Sequence, residues 1–142
     1  MFLNDMSTIF RYSNTFVNRS SADLNITSAE HYILMYLFQK KDVSQDEIAS
    51  FFAVDKGSIS KTIHKLNLKK YIEKYENISN RRKNLICLSE LGRKTFARSR
   101  ELLNEWHNSV MQGVTEEEFK LFAEVLQKMT ANARTVIESN EI

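Results

Sequence analysis

The chain has 142 residues, enough for one domain, or one domain with a helical extension. Its apolar fraction of 42% and charged fraction of 27% are those of a globular protein, and no apolar run approaches the roughly 20 residues that span a bilayer. The formal charge of +2 is unevenly spread: residues 44–94 carry eleven Lys/Arg against six Asp/Glu, while the segment before is neutral and the segment after is acidic. That concentration favours an anionic partner at one place on the surface. The single cysteine, Cys87, excludes an internal disulfide, and the N-terminus has no basic segment leading into an apolar run. Both features make the cytoplasm the expected location.

With no proline and three glycines, most of the chain should be helical. A first helix is expected over 4–18, with Met6, Ile9, Phe10, Phe16 and Val17 on one side. Thr27 to Glu30 matches a capping box and opens a second helix, 28–40. Ser44 to Glu47 matches another and opens a third, 45–52, with Val43 and Ile48 as its hydrophobic staple. Asp55 is the N-cap of a fourth helix, 56–69, with Val54 and Ile59 as the staple. Tyr71–Glu76 and Lys83–Leu88 read as two short strands joined by Asn77–Arg82. A fifth helix is expected over 90–112, and a capping box from Thr115 to Glu118 opens a sixth, 116–138. The fold class is therefore mainly α with a small β-wing.

Two short helices separated by Ala53-Val54, followed by a hairpin, form a helix-turn-helix with a wing. The second helix of such a motif can enter the major groove of double-stranded DNA. Its core face should be Ile59, Ile63 and Leu66, spaced i, i+4, i+7. The opposite face then carries Lys56, Gly57, Ser58, Ser60, Lys61, His64 and Lys65, with no acid after the cap. A groove lined by phosphates requires a face of that kind. The hairpin can reach the neighbouring minor groove, where Arg81, Arg82 and Lys83 suit the negative potential. Lys69, Lys70 and Lys74 lie between helix and hairpin, as candidates for phosphate contact.

The stretches ITSAEHYILMYL, VSQDEIASFFAVDKGSISKTIHKLNLKKYIEK and SNRRKNLICLSELGRK resemble the MarR family of winged-helix transcriptional regulators, which includes the SlyA-type proteins. The resemblance covers nearly the whole chain. It implies a homodimer: residues 1–26 and 95–142 would supply the dimerisation helices and 27–94 the winged DNA-binding region. It implies a regulator, of the repressor type, that binds a pseudo-palindromic operator and responds to a small aromatic or amphipathic acid. Such an effector would sit near Tyr12, Phe16, His31, Tyr32, Met35 and Tyr36. Three positions depart from the family pattern. The wing-tip Asp is Asn80, the wing lacks Pro, and the Gly that ends the recognition helix is Lys70, so a different cap is expected there.

Other chemistries find little support. His31, His64 and His107 share no metal-ligand spacing, and Cys87 reads as a half-buried filler of a strand. No nucleophile–base pair or Gly-rich phosphate loop is present, so no cofactor and no enzymatic activity are expected. A winged helix used only for protein contact is the alternative. Nine cations against three acids over residues 55–83 weigh against it.

Overall fold

In the computed structural model, which describes residues 1–80 and 83–139, all six expected helices form. They are α1 (Phe2–Ser20), α2 (Ser28–Gln39), α3 (Gln45–Phe52), α4 (Lys56–Leu68), α5 (Glu90–Val110) and α6 (Glu116–Ser139). The hairpin strands are β2 (Ile72–Glu76) and β3 (Asn84–Leu88), preceded by a two-residue strand β1 (Val43–Ser44). The sheet is antiparallel in the order β1-β3-β2, with Val43 opposite Ile86 and Ile72 opposite Leu88. Sequence patterning does not reveal β1, because two residues show no alternation. A single 3₁₀ turn at Ala22–Leu24 was likewise not expected.

Local chemistry sets the helix starts. Glu30 accepts from the Thr27 amide at 2.8 Å while Thr27 Oγ1 accepts from the Glu30 amide at 3.3 Å. Ser44 with Glu47 and Thr115 with Glu118 repeat the same reciprocal pair. The ends of α3 and α4 turn on left-handed residues. Ala53 (φ 51°) follows α3, and Val54 N–H donates to the Ala49 carbonyl. Lys70 (φ 60°) follows α4, with Tyr71 N–H donating to Leu66 and Lys70 N–H to Asn67. The second pattern is a Schellman motif with lysine where glycine is usual. The cap therefore keeps its shape, contrary to expectation, and the side chain bears the steric cost.

The chain falls into two compact units, Met1–Trp106 and a second that begins at His107. The core of the first is Leu34, Ile48, Ile63, Leu66 and Ile86, all fully buried, with Ile33, Leu37, Ile59, Ile72, Leu88 and Phe96 around them. Every element from α2 to α5 contributes. In the second unit the ring of His107 meets Phe119 edge-on at 5.6 Å. Among the described residues, no helix is long and apolar enough to cross a membrane.

Candidate nucleic-acid interface

Helix α4 buries Ile59, Ile63 and Leu66 and so turns the opposite residues outward. Lys56, Ser58, Ser60, Lys61, His64 and Lys65 are all exposed. The start of the helix is fixed by Asp55, which accepts from the Ser58 amide at 2.8 Å and from the Ser58 hydroxyl at 2.6 Å. Ser58 therefore spends its proton on the cap and can offer a partner only lone pairs. These two bonds, the hydroxyl's first, hold the Asp55 carboxyl below its ordinary range.

At the other end of α4 the expectation changes. Lys69 is drawn inward: its ammonium lies 2.8 and 2.9 Å from the two carboxylate oxygens of Glu30 and donates to the Asn25 carbonyl at 2.6 Å. The Glu30 side chain is 1% exposed and that of Lys69 22%. A carboxylate so buried needs a counter-charge, so Lys69 is a clamp between α4 and the start of α2, not a cation held out to phosphate. Tyr71 reinforces the junction by donating its hydroxyl to the Leu24 carbonyl at 2.8 Å.

The α5 end of the hairpin is equally constrained. Ser89 Oγ donates to the Lys70 carbonyl at 2.7 Å and accepts from the Gly92 amide at 2.9 Å. A Cβ at Gly92 would lie 1.9 Å from the Tyr71 carbonyl oxygen. The Ser89–Gly92 spacing is thus a structural requirement of the joint between α4, β2 and α5.

In the wing, Lys74 and Lys83 are exposed, and Arg81 and Arg82 lie outside the described residues. The residue that sequence reasoning missed is Asp46. Its carboxylate lies 3.2 Å from Lys56 on α4 and 3.3 Å from Lys83, the residue before β3. The two ammoniums, Lys56 first, hold its carboxyl below the usual range. An acid in the first turn of α3 reads as an ordinary response to the helix dipole, which hid its second role. Cys87 is half-buried, and desolvation together with Glu73 and Asp42 pushes its thiol up, away from reactivity.

Of the six residues expected near an effector, Tyr32 borders a cavity. That cavity, of about 430 Å³, is lined by Phe10 and Asn14 from α1, Ala29 and Tyr32 from α2, Phe52 from α3, and Thr62 from α4, among others. His31 is instead sealed in the core with Nδ1 on Ser99 Oγ, and burial lowers its pKa to about 4. Tyr36 packs on Phe51 and Phe52, Phe16 stacks on Trp106, and Met35 packs against the core. Tyr12 is 63% exposed. Among the described residues, no group of His, Cys, Asp or Glu is arranged to hold a metal ion.

A helix-turn-helix whose second helix presents an acid-free face, joined to a three-stranded wing, defines a winged-helix DNA-binding protein. Residues 26–83 match the MarR family. The HTH-type transcriptional regulator BilQ of Clostridium symbiosum (strain WAL-14163) is 30% identical over 124 residues, which cover 87% of this chain and 86% of that protein. A crystal structure of MarR superposes with a TM-score of 0.85 at 27% identity, covering 98% of this chain and 95% of that one. The MepR–DNA complex of S. aureus shares the fold, with a TM-score of 0.82 at 20% identity and coverage of 93% and 98%. The chain belongs to the MarR family and is a DNA-binding transcriptional regulator, not an enzyme.

Proposed function

We propose that the protein is a homodimeric repressor, acting in the cytoplasm, that occupies a pseudo-palindromic operator. The observation that carries this reading is the exposed, acid-free face of α4 beside a basic wing. Lys56, Ser60, Lys61, His64 and Lys65 face the major groove, with Ser58 as an acceptor, and Arg81, Arg82 and Lys83 serve the wing. Residues 1–26 and 95–142 dimerise and residues 27–94 read DNA. Support for pairing comes from apolar side chains left outside: Phe2, Leu3, Ile9 and Phe10 on α1, and Leu121, Phe122 and Ile137 on α6. A two-fold dimer matches half-sites one helical turn apart.

The effector occupies the cavity beneath α4. An occupant there touches Ser58, Ile59 and Thr62 of the recognition helix itself and so favours one placement of that helix over another. The lining contains no Lys, Arg or His. It suits a neutral apolar molecule with a hydrogen-bonding group for Asn14 or Thr62, rather than the acid that family resemblance implies.

Selection of bound duplexes from random DNA, with wild type and Arg82→Ala, tests the reading. Enrichment of a pseudo-palindrome, weakened by Arg82→Ala, is the expected result. Salt-sensitive binding with no enriched sequence would leave the basic face as an electrostatic footprint and return the protein-contact reading to first place.

A further inference from the structure

We propose that Asp46 is a built-in competitor of the DNA backbone, holding in the free protein two cations that the interface offers to phosphate. This rests on the DNA-binding reading above. Two features separate Asp46 from an ordinary helix-start acid. First, the α3 N-terminus is already served by Ser44 and Glu47, which satisfy each other's amides. Second, Asp46 bridges lysines from two other elements, Lys56 of the recognition helix and Lys83 of the wing. All three side chains are open to water, at 46%, 76% and 51% exposure for Asp46, Lys56 and Lys83. A phosphate can therefore approach the same ammoniums. Asp46 and Lys83 also border a cleft of about 220 Å³ whose rim carries Lys74 and Asn84.

The consequence is a subtraction from backbone affinity. Non-specific binding consists almost entirely of backbone affinity, so occupancy of unrelated DNA is what Asp46 holds down. A complex with base contacts tolerates the same subtraction.

The test is binding of the full-length chain to a duplex of scrambled sequence across a series of KCl concentrations, read by fluorescence anisotropy. Asp46→Asn should bind about five-fold tighter at low salt, the upper range for an exposed ion pair. Its plot of log affinity against log salt should steepen by about one unit. Asp46→Glu keeps the charge and should follow wild type. In a Lys56→Met/Lys83→Met background, Asp46→Asn should change neither quantity, because the competitor then has nothing to hold. Unchanged or weaker binding by Asp46→Asn at the wild-type slope would overturn the proposal. So would an equal gain in the double-Met background, which would mean a general charge effect. If wild type binds no duplex at all, the DNA reading itself fails. If wild type binds and Asp46→Asn does not differ, only the role of Asp46 fails. Circular dichroism melts verify that each variant is folded.

Discussion

The two ends of α4 each carry a lysine–carboxylate contact, and the two behave as different objects. At the C-terminal end, Lys69 meets a Glu30 side chain that is 1% exposed. At the N-terminal end, Lys56 meets an Asp46 side chain that is 46% exposed. The chemistry is the same and the burial is not. A buried carboxylate cannot give up its cation without standing uncompensated in a low dielectric, so the inner pair is committed to the fold. A wet carboxylate can exchange its cation for water or for another anion's claim on it, so the outer pair is available to a ligand. A lysine near a recognition helix is thus assigned by the surroundings of its partner, not by its place in the sequence.

The sharpest way to break this comparison is to remove the inner cation. Lys69→Met leaves Glu30 buried without its ammonium and should cost about 3 kcal/mol of unfolding free energy, read by urea denaturation. Asp46→Asn should leave the same urea curve in place. If both substitutions moved the curve equally, burial would not be what separates the two ends.

His31, the neighbour of Glu30, extends the argument to a buried group with no counter-charge. Its Nδ1 meets Ser99, its Nε2 has no hydrogen-bond partner, and burial lowers its pKa from 6.5 to about 4. Between those values the unfolded chain holds more protons at this site than the folded one. Stability must therefore fall as the pH drops from about 6.5 to about 4. A shift of this size corresponds to at most about 3–4 kcal/mol, the difference in pKa converted at about 1.4 kcal/mol per unit. Subtracting the stability-against-pH curve of His31→Asn, whose side chain does not titrate, isolates the effect from carboxylate titrations. A flat difference curve would mean that His31 is not buried as described.

Next in size is Gly92→Ala. The new methyl would press on the Tyr71 carbonyl, only 1.9 Å away, and the inner end of α4 would have to shift from α5. The expected loss is about 2 kcal/mol, seen as a lower Tm, with DNA affinity per folded molecule retained. A loss of affinity without a loss of Tm would make the joint part of the interface.

What the sequence made legible follows the range of each interaction. Capping boxes span three residues, so Thr27 with Glu30 and Ser44 with Glu47 could be read directly. The α4 face was legible because helical periodicity sorts Ile59, Ile63 and Leu66 from Lys61, His64 and Lys65. The Lys69–Glu30 clamp joins residues 39 apart, and each partner has an adequate local explanation, at a helix end and in a capping box. Asp46 was hidden for the same reason. Which aromatics line the cavity was not legible, because an aromatic side chain looks alike in sequence whether it fills a core, as Tyr36 does, or borders a space, as Tyr32 does. Strand β1 is visible only through its partner, β3, some forty residues further on.

Lys70 gives the smallest effect and the finest test of the comparison, because it adjoins the committed Lys69 and yet is exposed. Its backbone is left-handed at φ 60° and closes the Schellman motif, with its carbonyl held by Ser89. A residue with a Cβ is strained in that conformation and glycine is not, so Lys70→Gly should raise stability by about 1 kcal/mol. Retaining lysine at that cost needs a compensating use, and the exposed ammonium supplies one if it meets a phosphate. The substitution should then raise Tm while weakening DNA binding and making the salt slope shallower by about one unit. Tighter folding with unaltered DNA binding would place Lys70 with the inner end of α4, as a strained cap and nothing more. A gain in Tm paired with a shallower slope would place it with the outer end, one residue from the lysine that the fold keeps for itself.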